Sequence, residues 1–152
     1  MRFGTYEASY DNLLHMLSVI VQRNPGSATD TYIVPSLYGG PGFLPGFLLR
    51  AFFCLSACVR TFMYCLPVLC IDGTFLIGRY KGTILTAIGV DCNKQVVLIA
   101  FAFVENENTE SWYWFLECVK IHVVAGRPDV CLISDRHAGL VAAIRQLHEG
   151  SR

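Results

Sequence analysis

Two aspartates stand at the ends of apolar runs. Asp72 follows Val68-Leu69-Cys70-Ile71, and Asp135 follows Val130-Cys131-Leu132-Ile133-Ser134. A continuous apolar run that stops at an Asp describes a buried strand delivering a carboxylate at its exposed end. If the two strands are neighbours, about 5 Å apart, the carboxylates can share a divalent ion. Hard oxygen ligands hold Mg²⁺ or Mn²⁺, and such ions activate a nucleophile and stabilise a leaving oxygen in phosphoryl transfer. A plainer reading stands beside this one: Asp72-Gly73 is a common turn dipeptide, and Asp135 suits the cap of a helix beginning near Ala138.

The elements that must position these residues are read from periodicity. Thr83–Val90 and Val96–Val104, joined by Asp91-Cys92-Asn93-Lys94-Gln95, form two apolar runs around a short polar break. They predict an antiparallel hairpin in the middle of a sheet. Residues 105–110 lead into a predicted helix from about Ser111 to Val124, with Trp112, Phe115, Leu116, Val119 and Val123 on its apolar stripe. Gly126-Arg127-Pro128 ends it. A fourth strand reaches Asp135, and a last helix carries Leu140, Ile144 and Leu147 on one side. The order after Pro67 is therefore three strands, helix, strand, helix.

Before Pro67 the expected organisation is a helical lead-in over residues 1–66. Leu13, Leu14, Leu17, Ile20 and Val21 fall on one side of a helix from about Asp11 to Gln22, with Ser9 as cap and Asn24-Pro25-Gly26 as stop. Leu48–Tyr64 suits a second helix. Residues 27–46, with Gly39-Gly40-Pro41-Gly42 and Pro45-Gly46, suit a linker or a long exposed hairpin. Residues 67–152 form the second unit.

Composition bounds the function. At 152 residues and 53% hydrophobic, the chain can bury a core, and 12 Lys+Arg against 12 Asp+Glu leave no basic surplus for gripping phosphates. Weak autonomous DNA binding is expected. The seven Cys residues form no CxxC pair and no zinc-finger spacing, which predicts buried thiols rather than a metal cage or disulfide framework. Arg50, Arg60, Pro45 and Pro67 divide the apolar stretch 43–71, so no span of roughly 20 apolar residues crosses a membrane.

The wording around both aspartates resembles that of the Mutator-like (MULE) transposases of plants. The resemblance runs from Pro67 through Ile71-Asp72-Gly73-Thr74, Tyr80-Lys81-Gly82 and Asp91-Cys92-Asn93. It continues in Ala100–Asn108, Ser111-Trp112-Tyr113-Trp114-Phe115-Leu116 and Ser134-Asp135-Arg136-His137-Ala138-Gly139. Tyr10–Gly26 and Phe52–Phe62 are similar to the lead-in of that family. Leu66 and Phe75 depart from it, standing where relatives often have Arg and His.

The resemblance implies a DDE-group catalytic domain of partial ribonuclease H-like α/β fold, ending before the third catalytic acid. It makes Asp72 and Asp135 the first two metal-binding, catalytic carboxylates, with Mg²⁺ or Mn²⁺ as cofactor in the complete enzyme. It also implies transposon-end DNA as substrate, a homo-oligomer and a nuclear location. Glu149, some 20 Å along the last helix at about 1.5 Å per residue, is a poor third acid. The expected function is a fragment of a DNA transposase, inactive as this chain; the alternatives are a domesticated DNA- or protein-binding regulator or a remnant without a molecular role.

Other residues receive plainer readings. His137 is expected on the surface of a first helical turn, Arg79 and Lys81 in a solvated turn, and Glu105 and Glu107 in a solvated loop. Trp112 and Phe115 are expected in the core, with Trp114 supporting a neighbouring element. An exposed sheet edge should make the chain marginally stable and prone to self-association.

Overall fold

A computed structural model describes residues 6–34, 47–77 and 81–150. In chain order the elements are α1 (Tyr6–Arg23), β1 (Ala28–Val34), β2 (Phe47–Cys54), α2 (Ser56–Phe62), β3 (Val68–Phe75), β4 (Thr83–Val90) and β5 (Val96–Val104). Then follow α3 (Thr109–Val119) with a π-helical extension (Lys120–Val124), β6 (Cys131–Ser134) and α4 (Ala138–Gly150). The strands form one mixed sheet in the order β1-β2-β5-β4-β3-β6. All neighbours are antiparallel except β3 and β6, which run parallel.

The hairpin of β4 and β5 sits at the centre, as its two-sided apolar composition predicts. Every second residue of β4 is buried: Thr83, Leu85, Ala87 and Gly89. Asp91 closes the turn, its Oδ1 accepting from the amides of Asn93 at 2.8 Å and Gln95 at 2.7 Å. Lys94 takes the left-handed conformation there, with φ of 64°.

The core lies between this sheet and α3. Trp112 and Phe115 are fully buried, together with Leu116, Val119 and Val123, among Leu69, Leu85, Ala87, Ala100 and Ala102. Asn108 starts α3 with a reciprocal cap: its side chain accepts from the Ser111 amide, and Ser111 Oγ accepts from the Asn108 amide. Two orphan donors of the first turn are satisfied in this way. Trp114 packs on the edge of the same cluster.

The N-terminal third departs from expectation. Leu48–Tyr64 is not one helix: residues 47–54 form β2, and only Ser56–Phe62 is helical. Alternation along β2 sends Phe52 and Cys54 into the core under α3, where the rings of Phe52 and Phe115 lie 6.0 Å apart. It sends Ala51 and Phe53 to the opposite face, against Leu13, Leu17 and Ile20 of α1. An extended backbone buries both sets, and one helical face cannot. Ala28–Val34 of the expected linker is likewise a strand, paired with β2, while 35–46 lie outside the described residues. The first helix begins at Tyr6, so Ser9 is inside it rather than at its cap.

Candidate functional site

Parallel pairing sets the positions of the two aspartates. Val68 lies beside Cys131, Leu69 beside Leu132, Cys70 beside Ile133 and Ile71 beside Ser134. Asp72 and Asp135 are the next residues on each chain, at the same end of neighbouring strands. Asp135 leaves the sheet there. Asp72 does not: β3 continues to Phe75, paired with β4 alone, so Asp72 sits within a strand opposite Thr86. Among the described residues no strand pairs with Asp72 on the β6 side, because β6 ends at Ser134.

Both carboxylates are exposed and engaged by local backbone. Asp72 Oδ1 accepts from the Gly73 amide at 2.8 Å, and Asp135 Oδ1 from the His137 amide at 3.4 Å. Each keeps lone pairs for another partner. Two exposed carboxylates, each following a residue of the last β3–β6 pair, are of a kind that suits Mg²⁺, which is commonly held by one or two protein carboxylates with water and substrate oxygens completing its shell. Among the described residues, no group of three or more His, Cys, Asp or Glu is placed to hold a metal ion. Glu149 lies at the far end of α4.

The loop between β5 and α3 differs from its expected character. Glu105 and Glu107 are not solvated loop residues: their side chains are 22% and 10% exposed. Glu105 forms a bidentate pair with Arg50 of β2, with Nε 2.9 Å from Oε2 and Nη2 2.5 Å from Oε1. Arg50 is itself 6% exposed, lies over the Tyr32 ring at 5.1 Å and donates to the Glu110 carbonyl. Hydrogen bonding to Glu105 is the main reason its guanidinium is held above its ordinary pKa.

Glu107 packs against Gly73, the neighbour of Asp72. A Cβ at Gly73 would stand 3.1 Å from the Glu107 Cδ and Oε1 and 3.2 Å from Oε2. Its nearest ring neighbour is His137, whose Nδ1 lies 3.6 Å from Oε1 and is buried without a hydrogen bond. A Cβ at Gly139, in the first turn of α4, would meet the Asn108 carbonyl carbon at 3.0 Å and the Thr109 nitrogen at 3.1 Å. The starts of α3 and α4 therefore touch directly beside the two strand ends.

Of the basic pair singled out in the sequence, Arg79 lies outside the described residues. Lys81 is exposed beside a shallow depression of about 400 Å³ formed with Phe75, Ile77, Thr83, Glu105 and Asn106. The buried-thiol reading holds for Cys54, Cys65 and Cys118, whereas Cys92 and Cys131 are exposed. No helix among the described residues is long and apolar enough to cross a membrane.

Sequence reasoning missed Arg50 and the burial of Glu107. An Arg inside the apolar run Phe47–Cys54 signals a buried cation needing an acid, and the acids at 105, 107 and 110 were available.

Comparison with known proteins adds the family. No curated protein matches the chain, and no solved structure does. The family model described as the MULE transposase domain matches residues 68–150, more than half of the chain, from the first residue of β3 to the last of α4. With both aspartates and the loop that backs them inside that match, the chain belongs to the MULE transposase domain family.

Proposed function

We propose that Asp72 and Asp135 are two metal-binding carboxylates of a DDE-type phosphoryl-transfer site, in a chain derived from a DNA transposase. The observation that supports this reading most is the parallel register of β3 and β6, which pairs Ile71 with Ser134, the residues immediately before the two aspartates. Membership of the MULE family supports the ancestral reaction: water cuts the transposon end, and the freed 3′-hydroxyl attacks target DNA. Mg²⁺ or Mn²⁺ would supply charge neutralisation at the scissile phosphate. The protein's own part is to hold one carboxylate within β3 and the other just past the end of β6, with the Arg50–Glu105 pair fixing the loop behind them. A ribonuclease H-like arrangement, plant origin, transposon-end DNA, self-assembly and nuclear placement follow from the same reading.

In this chain alone the pair holds one cation weakly and does not cleave DNA. In-line displacement with two ions needs ligands beyond two carboxylates and a platform for the duplex, and the balanced charge of the chain offers no basic platform. The test is a labelled duplex incubated with the chain in Mn²⁺, beside an Asp72→Asn/Asp135→Asn double variant. Equal, background-level nicking is expected. Nicking that the double variant abolishes would contradict the inactive part of the proposal while upholding the site. A second reading, a protein-binding regulator, is favoured by the exposed Leu132 and Ile133 on the edge strand β6. Partner binding that survives the double substitution would support it.

A further inference from the structure

We propose that Glu107 is a positioning residue of the carboxylate site, wedged behind Gly73 and against His137 so that it ties the Asp72 segment of β3 to the turn that follows Asp135. The inference rests on the reading of Asp72 and Asp135 as a metal site. A carboxylate with only a tenth of its side chain exposed is costly to bury, and Glu107 packs so closely on Gly73 that a Cβ there would push its carboxylate back by a few tenths of an ångström. Alternation along β3 sets Asp72 on the sheet face opposite Gly73. Glu107 thus backs the strand rather than joining Asp72 around an ion.

Its partner is placed to transmit the restraint. His137 follows Asp135 by two residues and gives its amide to the Asp135 carboxylate. The Nδ1 of the same residue faces Glu107 Oε1 at 3.6 Å, so a closure of a few tenths of an ångström makes a hydrogen bond. On the other side, Asn108 is fixed by its cap on α3 and by the close approach of Gly139. Glu107 therefore has fixed backbone on one flank and the two aspartate-bearing segments on the other. Groups that orient a ligand-bearing segment without touching the ion change affinity through geometry.

The experiment is a Mg²⁺ titration of the full chain followed by backbone-resolved NMR, comparing wild type with Glu107→Gln, Glu107→Asp and Gly73→Ala. Dispersed spectra with unshifted β4 and β5 resonances identify variants that remain folded. Glu107→Asp keeps the charge but falls one methylene short of His137, and Gly73→Ala displaces Glu107 without altering it. The expected result is that all three weaken Mg²⁺ binding by about tenfold. Wild-type affinity in Glu107→Asp, with weakening only in Glu107→Gln, would reduce Glu107 to a source of field and overturn positioning. Unchanged affinity in all three overturns it as well, leaving the Asp72/Asp135 reading intact. Absence of saturable binding by folded wild type overturns that reading first, and the inference with it.

Discussion

Arg50 carries the largest single-residue prediction on stability. Its guanidinium is nearly buried, with its charge met by Glu105 in three hydrogen bonds and by the Glu110 carbonyl. Arg50→Ala leaves the Glu105 carboxylate without its cation and is expected to cost about 3 kcal/mol, read as a lower urea midpoint at constant slope. An Arg50→Ala cost below about 0.5 kcal/mol, the usual range for exposed pairs, would show that the pair is solvated. Cys118 gives a pH prediction. Burial first, then the nearby Asp30, push its thiol from 9.0 up to about 12. The unfolded thiol releases its proton first, so its contribution to stability is full below about pH 9 and is lost as pH rises toward 12. The alkaline fall in urea midpoint should be smaller in Cys118→Ala. Thiol reagents at neutral pH should modify exposed Cys92 and Cys131 well before Cys118.

Among the elements, α3 shows how local chemistry sets a boundary. Asn108 and Ser111 satisfy each other's amides at its start, and Asn108→Ala is expected to cost about 1 kcal/mol. Because Asn108 also borders Glu107, greater amide exchange confined to 106–112 would accompany that loss. Exchange unchanged there would mean that the cap is not what orders the loop. The strands β4, β5 and β6 and the helices α3 and α4 were legible because their signals are unmixed: apolar runs flanked by polar breaks, or one apolar stripe at helical spacing. The second strand was not legible. Phe47–Cys54 is apolar on both sides, and a short run of that kind matches a helix and a strand equally well. What decided it was tertiary: α1 covers Ala51 and Phe53 while α3 covers Phe52 and Cys54. The strand-end argument placed Asp135 just past β6 as expected but not Asp72, because β3 runs on to Phe75. Glu107 beside them needed the close approach to Gly73, which no local pattern records.

At the scale of the whole molecule, both edge strands carry exposed apolar side chains and pair on one side only among the described residues. Tyr32, Ile33 and Val34 are exposed on β1, and Leu132 and Ile133 on β6. Beside β6 runs an apolar groove of about 320 Å³ between α3 and α4, lined by Leu116, Val119, Val130, Leu132, Ile144 and Leu147. Unpaired edge backbone next to apolar side chains is a template for further strands. Self-association rising with concentration is expected in sedimentation, and Ile133→Lys should reduce it without lowering thermal stability by more than about 0.5 kcal/mol. A monomer at every concentration would contradict that view of the edges.

The proposed site requires that β3 and β6 bring Asp72 and Asp135 together as a pair able to hold a divalent ion. Its most direct test is titration of the purified chain with Mg²⁺ and Mn²⁺, read residue by residue in backbone NMR spectra, against the Asp72→Asn/Asp135→Asn double variant. Saturable changes centred on both aspartates in wild type, and lost in the variant, are the predicted result. A dispersed spectrum in which neither aspartate responds to either ion, or in which the variant responds equally, would contradict it.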